Sequence, residues 1–476
     1  MALRSSVTAA AVLALAASAL LFPGAAVDER VQRIENGLRR PITIRGTPVQ
    51  RMNIAERMSH YKVPGVSVAV IRAGKLDWAR GYGQADVESG KPVTTETVFQ
   101  AASVSKPVAS MTALRLVQQG KLSLDEDVNA MLRSWKVPEN EFTKTEKVTL
   151  RRLLSHNAGL TVHGFPGYAQ GAPVPALVQL LDGVPPANTQ AVRVDKTPGS
   201  GFRYAGGGYA VMQLLLEDVT GKPFEQLARQ FVLDPLRMQR SAYEQPPGEA
   251  LSRDAASGYR GDGKRIAGRW HIYPEKTAAG LWTTPSDLAR VVLEIQKPGK
   301  VLRPETVKTM LTRSPGDYGL GFGLQQTGGR ASISHGGANE GFRCQMFAYL
   351  DTGEGAVVMT NGDNGGQLVN EILGAIAVEY GWADYLPQEK AVVEVDPATL
   401  QSYVGDYEFP GGPVVRIRLK DGHLTSGIGG GNVVMLAEAP DSFFDMDGNV
   451  PPTKFVKKSD GSIELAAGGG TAKRKR

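Results

Sequence analysis

The chain has 476 residues, 42% hydrophobic and 21% charged, a composition that suits a globular protein with a large core and room for a second domain. Its net charge of +6 sits largely at the ends, with +4 on Lys473, Arg474, Lys475 and Arg476 and +1 on Arg4, leaving only +1 between them. A nearly neutral body argues against a nucleic-acid partner, and a single cysteine, Cys344, excludes an intrachain disulfide.

Residues 1–26 begin the chain with Arg4, an apolar run from Val7 to Phe22, and the small residues Gly24-Ala25-Ala26. That is the pattern of a secretory signal cut after Ala26, and the run is short for a membrane span. No later stretch is long and apolar enough to cross a bilayer. The expectation is a secreted or periplasmic protein with no stable membrane span after cleavage. At the other end, residues 471–476 read as a basic, solvated tail.

After a charged, mostly helical lead-in, Gly65 to Ile71 reads as a strand, Arg72-Ala73-Gly74-Lys75 as a turn and Leu76 to Tyr82 as the returning strand. Val104, Val108, Met111, Leu114 and Val117 then recur at helical spacing until Gly120. Leu122 to Leu132 reads as a short helical piece. Residues 150–300 are mostly helical with long loops, including Leu150 to Leu154, Tyr209 to Val219 and a helix opening at Pro285. Strand character returns at Tyr318 to Leu324, Ala331 to Ser334, Gln345 to Leu350 and Ala356 to Thr360, followed by a helix from Leu368 to Tyr380.

Early and late strands around a helical middle predict an α+β fold: one antiparallel sheet flanked by helices, built from two distant parts of the chain, with a mostly helical insertion beside it. Such an arrangement places a site at the seam. This unit is expected over residues 27–388. Beyond a polar stretch, residues 396–470 carry short strands between glycine and aspartate turns and predict a small all-β barrel domain. Gly427 to Gly431 lacks the strand–helix setting of a phosphate loop and reads as a turn.

The chemistry centres on Ser103-Val104-Ser105-Lys106-Pro107. Pro107 is tolerated only near a helix start, which puts that start at or near Ser103. Residues three apart share a helix face, so Lys106 can reach the Ser103 hydroxyl, and the positive helix end favours a developing anion. The pair reads as a nucleophile with its base. A serine there is also the usual N-cap. Three further stretches bear on it: Arg203-Tyr204-Ala205-Gly206-Gly207-Gly208, with a tyrosine before a glycine run that opens a helix; Ser334-His335-Gly336-Gly337-Ala338, where paired glycines let backbone N–H groups approach a substrate; and Leu153 to Leu160, read as a helix C-terminus with a glycine cap.

In this order, the stretches resemble the serine β-lactamase-related hydrolases: class C β-lactamases, penicillin-recognising DD-peptidases, D-aminopeptidases and family VIII-type esterases. The resemblance covers roughly residues 45–385. It implies attack by Ser103 Oγ, with Lys106 and Tyr204 sharing the proton, an oxyanion held by the N–H groups of Ser103 and Ala338, and an acyl-Ser103 intermediate. Which of Lys106 and Tyr204 is the base stays open, because their titrations are coupled. His335 stands where a lysine often sits, with Gly336 and Gly337 beside it, and would bind a carboxylate or polar group. Where many members have Tyr-x-Asn, this chain has Tyr204-Ala205-Gly206.

A lost hydrogen bond to a charged group is worth roughly 1.5–3 kcal/mol, so the two departures cost one or two decades on β-lactams. The implied activity is cleavage of an ester or amide bond in a small-molecule or peptide substrate, with neither cofactor nor metal. A true β-lactamase and a catalytically weak cell-wall-peptide binding protein are the alternatives. No Gly-x-Ser-x-Gly elbow and no His-Glu-x-x-His spacing among the six histidines offers a competing site.

Overall fold

The segment Gly65–Arg72 is apolar at nearly every position because both of its faces are covered. In the computed structural model, which describes residues 23–410, 412–427 and 432–475, it lies inside a seven-stranded antiparallel sheet. The strand order is Lys91–Pro92, Lys75–Asp86, Gly65–Arg72, Gly355–Thr360, Phe342–Tyr349, Arg330–Asn339 and Gly323–Thr327. The two ends of the unit meet where Val66 pairs with Thr360 and Ile71 with Gly355. The expected single sheet from two distant segments is therefore present. The apolar run thought to signal export, Val7 to Phe22, lies outside the described residues; the first helix, Pro23–Glu35, spans the expected cut.

Period-two alternation divides the core. Val66, Val68 and Val70 face the helices Pro23–Glu35, Ile54–Tyr61 and Gly365–Tyr380. Within that layer the buried Arg57 pairs in two-pronged fashion with Glu371, at 2.6 and 2.8 Å, and Tyr61 donates to the same carboxylate at 2.8 Å. Ala69 and Ile71 face the other way, toward the helices Ser105–Gln118 and Pro285–Gln296 and the rest of the insertion.

Three expectations need correction. Leu122 to Leu132 holds only a 3-10 turn, Val128–Ala130, because side chains take the backbone donors: Ser123 Oγ accepts from the Asp125 and Glu126 N–H groups, and Asp127 from Asn129 N–H. The strand read at Tyr318 to Leu324 starts at Gly323. Residues 471–475 are not a free tail. Gly470–Arg474 is a strand whose Ala472 points inward, fully buried between exposed neighbours, and Lys475 N–H bonds the Asp406 carbonyl at 2.7 Å. One small inward residue among cations hid that alternation.

This strand closes an eight-stranded barrel that runs from Gly405–Glu408 through Gly470–Arg474. A stack of Tyr403 on Phe455, with ring centroids 4.2 Å apart, fills part of its interior. A parallel pair, Ile42–Ile44 with Gln388–Lys390, ties the start of the chain to the connection between sheet and barrel.

Candidate active site

Phe99–Gln100 pairs with Trp282–Thr283, and Ala101 N–H bonds the Leu281 carbonyl at 2.9 Å. The chain then turns sharply at Ala102, whose φ of +50° is left-handed and costly for a residue with a Cβ. Ser103 lies in the 3-10 turn Ala102–Val104, and the α-helix Ser105–Gln118 follows with Pro107 in its first turn. The helix N-cap is Val104, so Ser103 is not the capping residue. Ser105 locks the turn: its hydroxyl donates to the Ala102 carbonyl at 2.5 Å and accepts from Leu281 N–H at 2.9 Å.

Lys106, only 2% exposed, donates from Nζ to Ser103 Oγ at 2.9 Å and to the Ala278 carbonyl at 2.8 Å. Its ammonium position is 5.0 Å from the centre of the Tyr204 ring. Tyr204 immediately precedes Ala205 and the helix Gly206–Thr220. That helix start is pressed against residues 161–165: Gly206 and Gly207 N–H groups bond the His163 and Val162 carbonyls, each at 3.0 Å. A Cβ on Gly206 would lie 2.9 Å from the Phe165 ring and 3.1 Å from the His163 oxygen; on Gly207 it would lie 2.6 Å from the Thr161 oxygen. A side chain at 206 would therefore need Phe165 to give way, and one at 207 would meet backbone.

His335 lies on the strand Arg330–Asn339, whose far end meets the nucleophile turn. A Cβ on Gly337 would stand 2.2 Å from the Ala101 oxygen, so only glycine lets this strand seat there. Asn339 fixes the contact by donating to Gln100 Oε1 at 2.8 Å and to the Ala279 carbonyl at 3.1 Å.

The imidazole of His335 lies 2.7 Å, through Nδ1, from the Gly336 carbonyl. A carbonyl only accepts, so Nδ1 carries the hydrogen. Burial, together with the Lys106 charge, pushes its pKa down to about 3. The ring is neutral at physiological pH, and its Nε2 is an acceptor without a partner among the described residues. Of the two kinds of group expected at His335, a carboxylate or a polar group, the neutral acceptor suits a polar donor.

Ser103, Tyr204 and His335 to Ala338 thus line one cleft of about 960 Å³. His163, Phe165 and Tyr318 form an aromatic wall on one side; Arg343, Gln345, Asp363 and Gln367 form a polar one. The cleft reaches Pro41 and, from the barrel, Asp447 and Gly448. Sequence reasoning missed Ala278, Asn339, Tyr318 and the barrel residues. It also passed over His156, whose ring centre lies 4.1 Å from that of Tyr204. Among the described residues no cluster of His, Cys, Asp or Glu is arranged to hold a metal. Cys344 is buried, and burial pushes its thiol pKa up, which leaves it a poor nucleophile.

The sequence matches the family Beta-lactamase over residues 51–379. It is 27% identical to the D-aminopeptidase of Brucella anthropi over 315 residues, 64% of this chain and 58% of that protein. The chain therefore aligns with little more than half the length of that relative. In fold it is similar to the octameric penicillin-binding protein homologue of Pyrococcus abyssi, at 21% identity and TM-score 0.59, covering 88% of this chain and 98% of that one. It is also similar to the D-amino acid amidase of Ochrobactrum anthropi, at 21% identity and TM-score 0.57, covering 75% of this chain and 99% of that one. The chain belongs to the Beta-lactamase family of serine hydrolases.

Proposed function

We propose that this chain hydrolyses esters or amides of small acyl groups, including D-amino-acid amides and peptides, through an acyl-Ser103 intermediate. The observation that carries the proposal is the buried Lys106 Nζ, held at once on Ser103 Oγ at 2.9 Å and on the Ala278 carbonyl at 2.8 Å. In its neutral form the amine keeps a hydrogen on Ala278 and turns its lone pair to the Ser103 hydroxyl. Ser103 Oγ then attacks the substrate carbonyl carbon and its proton passes to Lys106 and Tyr204. The oxyanion is taken up by the N–H groups of Ser103 and Ala338. The proton returns to the leaving alcohol or amine, and water releases the acyl group by the reverse sequence.

The neutral acceptor at His335 Nε2 supports substrates that present an N–H or O–H group there, and it disfavours the carboxylate of a penicillin. The name of the Brucella anthropi relative, D-aminopeptidase, supports the D-amino-acyl choice. The apolar run before residue 26 supports export.

The test is to incubate the mature protein with a fluorophosphonate and a fluorescent penicillin and to locate the label by mass spectrometry. Turnover of p-nitrophenyl esters, D-amino-acid p-nitroanilides and a chromogenic cephalosporin is measured in parallel. The expected result is label on Ser103 with ester or D-anilide turnover well above cephalosporin turnover. No label from either reagent and no turnover would sink the enzyme reading; rapid cephalosporin hydrolysis with poor ester turnover would make the chain a β-lactamase.

A further inference from the structure

His156 makes no contact with the nucleophile, yet it grips the chain on both sides of Tyr204. Its carbonyl accepts from Arg203 N–H at 2.9 Å, and its Nδ1 accepts from Ala205 N–H at 3.1 Å. Its ring lies against the Tyr204 ring, with centroids 4.1 Å apart and planes tilted by 32°. The residue is 2% exposed and has φ of +57°, a left-handed conformation that turns the side chain back across the end of the helix Leu150–Leu154. Because Nδ1 accepts, the hydrogen of the neutral ring is on Nε2, which has no hydrogen-bond partner among the described residues and lies among the rings of Tyr209 and Tyr318.

We propose that His156 is a positioning residue for catalysis: through the flanking Arg203 and Ala205 N–H groups and the face of the Tyr204 ring, it fixes where the Tyr204 hydroxyl stands relative to Ser103. The inference rests on the reading that Tyr204 shares the Ser103 proton. Burial and the Lys106 charge hold the His156 imidazole well below its ordinary pKa. The neutral state keeps Nδ1 free to accept.

The test is a double-mutant cycle on hydrolysis of a small p-nitrophenyl ester, comparing Tyr204→Phe, His156→Phe and the two combined, with His156→Asn as the conservative variant. Asparagine tolerates the left-handed conformation and carries an acceptor for Ala205 N–H. The expected result is a fall in kcat of about 10- to 100-fold for His156→Phe, the scale of a misplaced catalytic group, with little change in KM and substantial recovery in His156→Asn. In the Tyr204→Phe background, His156→Phe should cost almost nothing further.

Equal losses in both backgrounds would mark a merely structural role and overturn the inference, as would full turnover in both His156 variants. Full turnover by Tyr204→Phe alone would overturn the Tyr204 reading and this inference with it, leaving Ser103 labelling to report separately on the nucleophile. Where phenylalanine at 156 prevents folding, the same cycle with His156→Ala decides the question.

Discussion

Lys106 Nζ is shared between Ser103 Oγ and the Ala278 carbonyl, and the Ala278 bond fixes the amine where the proton must go. Lys106→Ala should lower kcat by about two to four decades, the contribution of a positioned base, with a shift in Tm of only a few degrees. Lys106→Arg should not rescue it, because a guanidinium keeps its proton. Steady-state ester kinetics with thermal melts check both; an arginine variant of near wild-type rate would remove Lys106 from the proton path.

The carbonyl that holds Lys106 belongs to the short helix Lys276–Ala279, which begins beside a buried acid. Glu275 is fully buried, neither carboxyl oxygen has a hydrogen-bond partner among the described residues, and burial pushes its pKa up to about 8. The folded state therefore holds a proton that the unfolded chain gives up near the ordinary value of 4.5. The unfolded state binds fewer protons across this window, so this group's contribution is intact below about pH 4.5 and falls as pH rises toward 8. Glu275→Gln should flatten the decline of Tm over that range. Melts from pH 5 to 9 would expose an unchanged slope.

The Ala101 oxygen and Gly337 set the distance between the nucleophile turn and the His335 strand. With only 2.2 Å available to a Cβ at 337, Gly337→Ala must push the strand away from Ser103. The expected outcome is a loss of kcat of about 100-fold, since a displacement near 1 Å in a catalytic group costs that much. Fluorophosphonate labelling should slow in parallel; an unchanged labelling rate would mean the strand does not help build the site.

His335→Lys tests the carboxylate argument directly. A fixed cation at that position should speed acylation by a fluorescent penicillin about ten- to a hundredfold, the worth of one charged hydrogen bond. Turnover of uncharged esters should fall as the neutral acceptor disappears. Gel fluorescence against time measures the first effect. No gain in penicillin acylation would show that the charge at 335 is not what separates the two substrate classes.

Much of the site was legible because its chemistry is written locally. The Ser103–Lys106 spacing, Pro107 and the apolar periodicity that follows place the nucleophile, and the glycines around Tyr204 and His335 mark close backbone approaches that the structure contains. What escaped is non-local or carried by backbone. Ala278 contributes only a carbonyl, which no residue type announces. His156 sits in a stretch that also reads as an ordinary helix end, and only the fold brings residue 205 to its ring. The burial of His335 and its nearness to Lys106 are likewise tertiary facts that no local pattern carries.

The barrel's share of the cleft was equally hidden, and it depends on one side chain. The buried Asp445 carboxylate accepts from the N–H groups of Asp447 and Asn449, each at 3.0 Å, and of Val450 at 2.7 Å, which shapes the loop that carries Asp447 and Gly448 to the cleft. The loop is moored outside the barrel by Gln367, which donates to Asn449 Oδ1 at 2.8 Å, and by Arg40, 3.2 Å from Asp447. Asp445→Ala leaves those donors without their anion, and hydrogen bonds to a charged group are worth roughly 1.5–3 kcal/mol each. The far wall should therefore loosen while Ser103, Lys106 and Tyr204 stay in place. A small acetyl ester that does not reach the barrel should keep its kcat/KM within about twofold, whereas a tripeptide amide long enough to touch the loop should lose about tenfold or more, mainly through KM. Parallel kinetics on the two substrates decide it: equal losses would mean that the barrel supports the whole fold, and no loss on either would remove this wall from substrate binding.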